Sequence, residues 1–212
     1  MTRIDIAYVV QVLSQFMHSP KQSHMNAALR VVKYIKNALG FGLLMPSDCS
    51  KKFVAYCDSD WGGCLQTRRS VTGYLVKFGN TVVSWKSKKQ KMVARSSAEA
   101  EFRSMASVVA EVTWLIGLYK ELGISIEVPI CLYCDSKAII QIAANPIFHE
   151  RTKYIDIDYH FARDKIIQGI IKTHYVSTKE QQADLLTKSL DRQQHEHLMT
   201  KLSLKDVFKS SV

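Results

Sequence analysis

Acidic residues are scarce in this chain. Its 212 residues hold 19 Asp plus Glu against 29 Lys plus Arg, a formal net charge of +10. That excess points to an anionic partner, nucleic acid first, and makes any acid in apolar surroundings stand out. Cysteine is also thin. Cys49, Cys57, Cys64, Cys131 and Cys134 are odd in number and share no repeated spacing, which argues against a disulfide framework. Cys131 and Cys134 form one CxxC, but it closes the apolar run from Ile130, and on a strand residues three apart face opposite ways. The pair reads as small buried hydrophobes rather than a zinc or redox site. No stretch reaches the roughly 18 apolar residues of a membrane span. Arg3, Asp5 and Gln11 interrupt the apolar run of the first 16 residues, unlike a signal peptide, so a soluble intracellular chain is expected. Internal repeats and low-complexity tracts are absent. What is present, 47% hydrophobic and 23% charged residues, suits one ordinary domain with an extra segment attached.

Residues 1–46 read as a helical segment, with one helix near Asp5 to Met17, a break at His18-Ser19-Pro20, and an amphipathic helix from about Ser23 to Asn37. Pro46-Ser47-Asp48 marks the boundary to a main domain over 47–192, followed by a helical tail over 193–212. The main domain opens with strands at Phe53 to Cys57, Gly73 to Phe78 and Thr81 to Trp85, the last two a hairpin through Gly79-Asn80. A long helix at Ser97 to Leu122 comes next. A buried strand at Val128 to Cys134, helices at Ser136 to Ala144 and about Ile155 to Gln168, and a strand at Ile171 to Ser177 complete a mixed α/β pattern.

Four acids lie in four separate segments, three of them where a strand or helix pattern begins or ends. In the long helix, Glu101 shares a stripe with Met105, Val108, Val109, Val112 and Ile116, so it points toward the sheet. A carboxylate there is costly unless paired or bound to a cation, and Arg95 is close enough in sequence to be a partner. Glu99 lies on the other side with Arg103, Ser107 and Glu111. It stands three residues after Ser96, the spacing of a capping box in which it reaches back to the cap amide. Asp58 closes the run Phe53 to Cys57, a place where α/β sheets collect ligands, although Asp-Ser-Asp before Gly62 is also turn chemistry. Asp135 follows Cys134 and precedes a helix, where capping is an alternative role. Asp184 stands in a first helical turn, which the helix dipole favours regardless of function. Two divalent ions about 4 Å apart need carboxylates converging from separate elements, and these four are so distributed.

As a set, the motifs closely resemble the ribonuclease H domain of copia-type LTR retrotransposon polyproteins. They are Tyr56-Cys57-Asp58-Ser59-Asp60-Trp61, Arg68-Arg69-Ser70-Val71-Thr72-Gly73-Tyr74, Ser84-Trp85-Lys86-Ser87-Lys88-Lys89-Gln90, Ala94 to Phe102, Cys134-Asp135-Ser136, Asn145 to Lys153, and Gln182 to Lys188. Residues 1–46, with Arg3-Ile4-Asp5-Ile6 and Ser14 to Pro20, resemble the tail of the preceding reverse transcriptase; no polymerase Asp-Asp motif is present.

The resemblance implies a ribonuclease H-like fold, a mixed five-stranded sheet flanked by helices with an N-terminal helical extension. It implies hydrolysis of the RNA strand of RNA–DNA hybrids during reverse transcription. Asp58, Glu101, Asp135 and Asp184 would hold two Mg²⁺ ions, or Mn²⁺, one activating water and the other stabilising the leaving 3′ oxygen. Asp58 is preferred to Asp60 for its place at the strand end. The implied partners are the hybrid and the reverse transcriptase portion of the same polyprotein, with no membrane, in a cytoplasmic virus-like particle or the nucleus. Many enzymes of this fold carry a histidine near the last acid, but Ser177 to Asp184 has none, and His160 and His174 read as ordinary surface or strand residues. Lys86, Lys88, Lys89 and Lys91 would neutralise DNA phosphates, unless the run is only a solvated loop, with Arg68 and Arg69 a second basic patch. The rival readings are a non-catalytic nucleic-acid-binding remnant and a structural segment of the polyprotein.

Overall fold

The computed structural model describes residues 3–45, 50–144, 153–206 and 208. The boundary expected at Pro46-Ser47-Asp48, and residues 145–152 of the motif ending at Lys153, lie outside these. A short 3-10 turn at Ile4–Ile6 leads into α1 (Ala7–Ser14), followed by α2 (Gln22–Asn37) and a short strand β1 (Phe41–Leu43). The main sheet begins with β2 (Lys52–Asp60), β3 (Val71–Phe78) and β4 (Thr81–Lys89). After α3 (Ser97–Glu121) come β5 (Glu127–Cys134), α4 (Lys137–Ala144), α5 (Lys153–Ile167) and β6 (Ile171–Tyr175). A 3-10 segment at Gln182–Leu186, α6 (Arg192–Lys201) and β7 (Leu204–Asp206) follow.

The five strands lie in the order β4-β3-β2-β5-β6. β2, β3 and β4 are antiparallel, whereas β5 runs parallel to β2 and β6 parallel to β5. With the long helix α3 packed across β2 and β3 and against α5, this is the expected ribonuclease H-like fold. Alternation on β2 explains the layering. Phe53, Ala55 and Cys57 are buried on the side of α3, where they join Met105, Val108, Val109 and Val112 of its apolar stripe. The opposite face is covered from both ends of the chain, because Ile4, Leu198, Leu202 and Leu204 pack with Leu75, Val82, Leu185 and Leu186. β1 and β7 pair antiparallel beside this cluster, Phe41 opposite Asp206.

Two elements differ from expectation in ways that matter for the site. β2 does not end at Cys57; Asp58, Ser59 and Asp60 stay paired with Gly73, Thr72 and Val71 of β3. Its pairing with β5 has already stopped at Tyr56 opposite Tyr133. The sheet therefore opens a notch between β2 and β5, and Asp58 stands at its edge rather than in a turn. The lysine run is likewise not a loop. Lys86, Lys88 and Lys89 belong to β4 and pair with Tyr74, Thr72 and Val71, so the alternation of the strand decides which way each ammonium faces.

Candidate metal centre

The notch gathers side chains from four places. Asp58 comes from β2, Glu101 from the first turns of α3, Asp135 from the turn after β5, and Asp184 from the 3-10 segment. Oxygens of Asp58, Asp135 and Asp184 all lie within 4.8 Å of one another, and Glu101 and Asp135 form a second such group with the Cys134 sulfur. The two groups share Asp135, so all four expected acids are brought to one place. Asp60, the alternative to Asp58, belongs to neither group.

The backbone around them is fixed by buried polar side chains. Ser104, fully buried on α3, donates to the carbonyls of both Asp58 at 2.7 Å and Gly73 at 3.1 Å, locking helix to sheet at the end that carries the acids. Gln181 donates to the Cys57 carbonyl at 3.0 Å and accepts from the Ala183 amide, which ties the Asp184 segment to β2. Gly73 permits this approach, since a Cβ on it would sit 2.4 Å from Thr187 Cγ2 and 3.2 Å from the Ala183 carbonyl. Thr187 donates its hydroxyl to Asp58, and Thr178 donates to Asp135 at 3.3 Å.

Lys188 bridges two of the acids, with Nζ 2.8 Å from Asp184 Oδ1 and 3.2 Å from Asp58 Oδ1. Sequence reading missed Lys188 and Thr187, although the four-residue spacing of Asp184 and Lys188 is that of an ion pair on one helical face. The ammonium pKa is raised, chiefly by Asp58 and Asp184 against the cost of burial. Glu101 has no such relief. Its Oε2 is buried with no hydrogen-bond partner, and no ion pair to Arg95 forms among the described residues. Burial first, then Asp58, Cys134 and Asp135, push the Glu101 carboxyl up to about 10. Asp184 is pushed up to about 7 by burial and Asp58, with Lys188 opposing, and Asp135 is raised by burial and Asp58.

Glu99 behaves as its spacing predicts, with one difference. Its amide bonds to Ser96 Oγ and its carboxylate pairs with Arg103 at 2.7 Å, but it reaches back to the Arg95 amide rather than that of Ser96. Of the CxxC pair, Cys134 is buried and Cys131 half-buried, as expected for opposite faces. Interaction between the Cys134 and Cys57 thiols on neighbouring strands pushes the Cys57 thiol up and that of Cys134 down. His174 on β6 packs its ring 5.5 Å from Tyr133.

The basic residues fall into separate groups. Lys86, Lys88, Lys89 and Lys91 line a groove of about 490 Å³ with Thr72, Gln90 and Arg103. The Lys89 ammonium is already bonded to Gln15 Oε1 at 2.7 Å, and Lys86 lies 5.6 Å from the Tyr74 ring centre. Arg68 and Arg69 are exposed on the loop between β2 and β3.

The donor set fits a hard divalent cation: carboxylate oxygens from separate elements, one buried and orphaned, around a single ammonium. No helix among the described residues is long and apolar enough to cross a membrane.

No family model matches the chain. It is similar to the retrovirus-related Pol polyprotein from transposon RE1 of Arabidopsis thaliana, 41% identical over 203 residues, covering 96% of this chain and 14% of that protein. The Pol polyprotein from transposon TNT 1-94 of Nicotiana tabacum is 37% identical over 196 residues, 92% of this chain and 14% of its own length. Among solved structures, LC11-RNase H1 isolated from compost aligns with a TM-score of 0.49 and 13% identity over 65% of this chain and 94% of that one. The chain thus spans about 14% of the length of these polyproteins. With nearly its whole length aligned at that identity, the chain belongs to the family of retrovirus-related transposon Pol polyproteins.

Proposed function

We propose that this chain is a metal-dependent endoribonuclease that hydrolyses the RNA strand of RNA–DNA hybrids, acting as the ribonuclease H segment of a transposon Pol polyprotein during reverse transcription. The observation that carries this reading is the convergence of four carboxylates from four elements at the notch between β2 and β5, with Glu101 Oε2 buried and unpartnered. Asp58, Glu101, Asp135 and Asp184 would hold two Mg²⁺ or Mn²⁺ ions. When bound, these supply a water-derived nucleophile at neutral pH and charge stabilisation at the scissile phosphate. The protein's own part is positioning: Ser104, Gln181 and Gly73 hold the strand end, helix and 3-10 segment at fixed separations, so the acids are preorganised before substrate arrives. Segment 1–46 would connect this centre to the polymerase portion.

The test is a labelled RNA–DNA hybrid incubated with the purified chain and Mg²⁺, beside single-stranded RNA, duplex DNA and an Asp135→Asn control. Expected is cleavage of RNA in the hybrid alone, leaving 5′-phosphate and 3′-hydroxyl ends. The control should be slower by on the order of 10³-fold or more, at least the loss caused by removing one preorganised group. Binding without any cleavage would favour the non-catalytic remnant.

The groove lined by Lys86, Lys88 and Lys91 provides a course for the DNA strand. Replacing Lys86 and Lys88 together with alanine should weaken hybrid binding and flatten its dependence on salt, by about one unit of log–log slope per lysine. The rate at saturating substrate should change little. A salt titration of binding by fluorescence anisotropy checks this, and an unaltered slope would remove both lysines from the interface.

A further inference from the structure

Lys188 contacts the acids in a way a simple surface ion pair does not. Its ammonium touches both Asp58 and Asp184, whose side chains are 1% and 4% exposed, while its own is 32% exposed. Those two carboxylates, with Asp135, present oxygens within 4.8 Å of one another, so one small cation can reach all three. The ammonium already engages two of them. An arriving divalent ion and Lys188 therefore compete for the charge of the same carboxylates.

On this basis, and resting on the reading of the four acids as a divalent-cation centre, we propose that Lys188 is an exchangeable internal counterion. It neutralises the acid cluster in the metal-free chain and is displaced as metal enters, so that metal uptake is a swap of cations whose affinity Lys188 sets. Two features make the swap possible. The carboxylates are pinned, Asp58 by Thr187 and Asp135 by Thr178, whereas Lys188 has a flexible four-carbon stem. Lys188 also lines a cavity of about 510 Å³ together with Tyr8, Ser189, Asp191 and His195. The side chain can thus withdraw by rotation about its own bonds, without moving the backbone that carries Asp184. The arrangement keeps buried carboxylates from facing one another unneutralised, and it weakens capture of free divalent ions.

The full chain and its Lys188→Met and Lys188→Arg variants would be titrated with Mn²⁺ in the absence of nucleic acid, free ion being followed by EPR. Melting would be measured in EDTA and in saturating Mn²⁺. Lys188→Met is expected to bind Mn²⁺ about tenfold or more tightly than the natural chain, since a competing unit charge is gone. It should melt lower in EDTA and recover in Mn²⁺, while Lys188→Arg should bind no more tightly than the natural chain. A purely structural ion pair would lower melting equally in both conditions and leave Mn²⁺ affinity unchanged or weaker, which overturns the proposal. A readout on the unmodified chain covers the case where Lys188→Met does not fold. Acetylation of Lys188 by an amine reagent, followed by mass spectrometry, should be slow in EDTA and faster with Mn²⁺; equal rates would also overturn it. A natural chain and variants that all fail to bind Mn²⁺ would sink the metal-centre reading itself, whereas binding with unaltered affinity sinks only the exchange.

Discussion

Glu101→Gln is expected to make the metal-free protein more stable while abolishing the proposed cleavage of RNA–DNA hybrids. The side chain keeps its length, so the packing of α3 on the sheet is preserved, but a buried group beside Asp58 and Asp135 no longer has to be kept protonated at a pH where the unfolded chain would release the proton. The pH dependence shows where the gain arises. In the folded metal-free chain Glu101 holds its proton up to about 10 and Asp184 up to about 7. In the unfolded chain both release it above roughly pH 4 to 4.5. Between those limits the folded state binds more protons, so the stability of the natural chain in EDTA should fall as pH rises, by at most about 1.4 kcal/mol per pH unit for each group. The part due to Glu101 continues toward pH 10, and that due to Asp184 ends near pH 7. Glu101→Gln should remove the longer part, gaining about 1–3 kcal/mol at pH 8 and little at pH 5. Urea unfolding in EDTA at three pH values measures this, and Mg²⁺, which binds the ionised acids, should abolish the decline in the natural chain. A variant less stable than the natural chain at pH 8 would mean that Glu101 has a partner in solution.

Gly73 is the position where the smallest change should do the most damage to the fold. A methyl group there would sit 2.4 Å from Thr187 Cγ2, 3.0 Å from Leu186 Cβ and 3.2 Å from the Ala183 carbonyl. A side chain could turn aside, but a backbone carbonyl and a Cβ cannot. The 3-10 segment must retreat, taking Asp184 and the Thr187 hydroxyl away from Asp58. Gly73→Ala should cost about 1–3 kcal/mol, as overpacking in a closed core does, and should lower metal affinity together with cleavage. Gly42→Ala is the matched control, because nothing lies within 4 Å of a Cβ there. Equal urea midpoints for the two variants would show that the 3-10 segment yields without strain.

Much of this centre was legible in the sequence because periodicity assigns faces. Glu101 was separable from Glu99 by its stripe, and Ser96 with Glu99 announced the helix start; Glu99 also pairs with Arg103 on the side expected for both. Asp58 was placed at its strand's end, with turn chemistry as the alternative. Asp and Ser are poor strand formers, yet pairing with β3 carries the strand on to Asp60. The lysine run misled in the same way, since its charge signals solvent while its neighbours across β3 make it a strand. Lys188, Thr187, Ser104 and Gln181 were not found as site residues. Each makes a contact to Asp58 or Cys57 that lies 46 to 130 residues away in sequence, and only the Lys188–Asp184 spacing gave a local signal. β1 and β7, three residues each, are too short to show alternation.

That small β1–β7 ladder joins Phe41–Leu43 to Leu204–Asp206, so the loop it closes contains the entire five-stranded sheet. Closing so long a loop early would cost chain entropy with few contacts to offset it, whereas once the sheet has formed the two strands are already neighbours. The ladder should therefore be completed late in folding. Ile4 and Leu204 meet on the same face of the sheet, so the seating of the N-terminal segment depends on the far end of the chain having been made and having arrived. A chain made from its amino end would bring Ile4 to its final packing only after Leu204 has been synthesised, which makes the order of synthesis part of how this fold is closed.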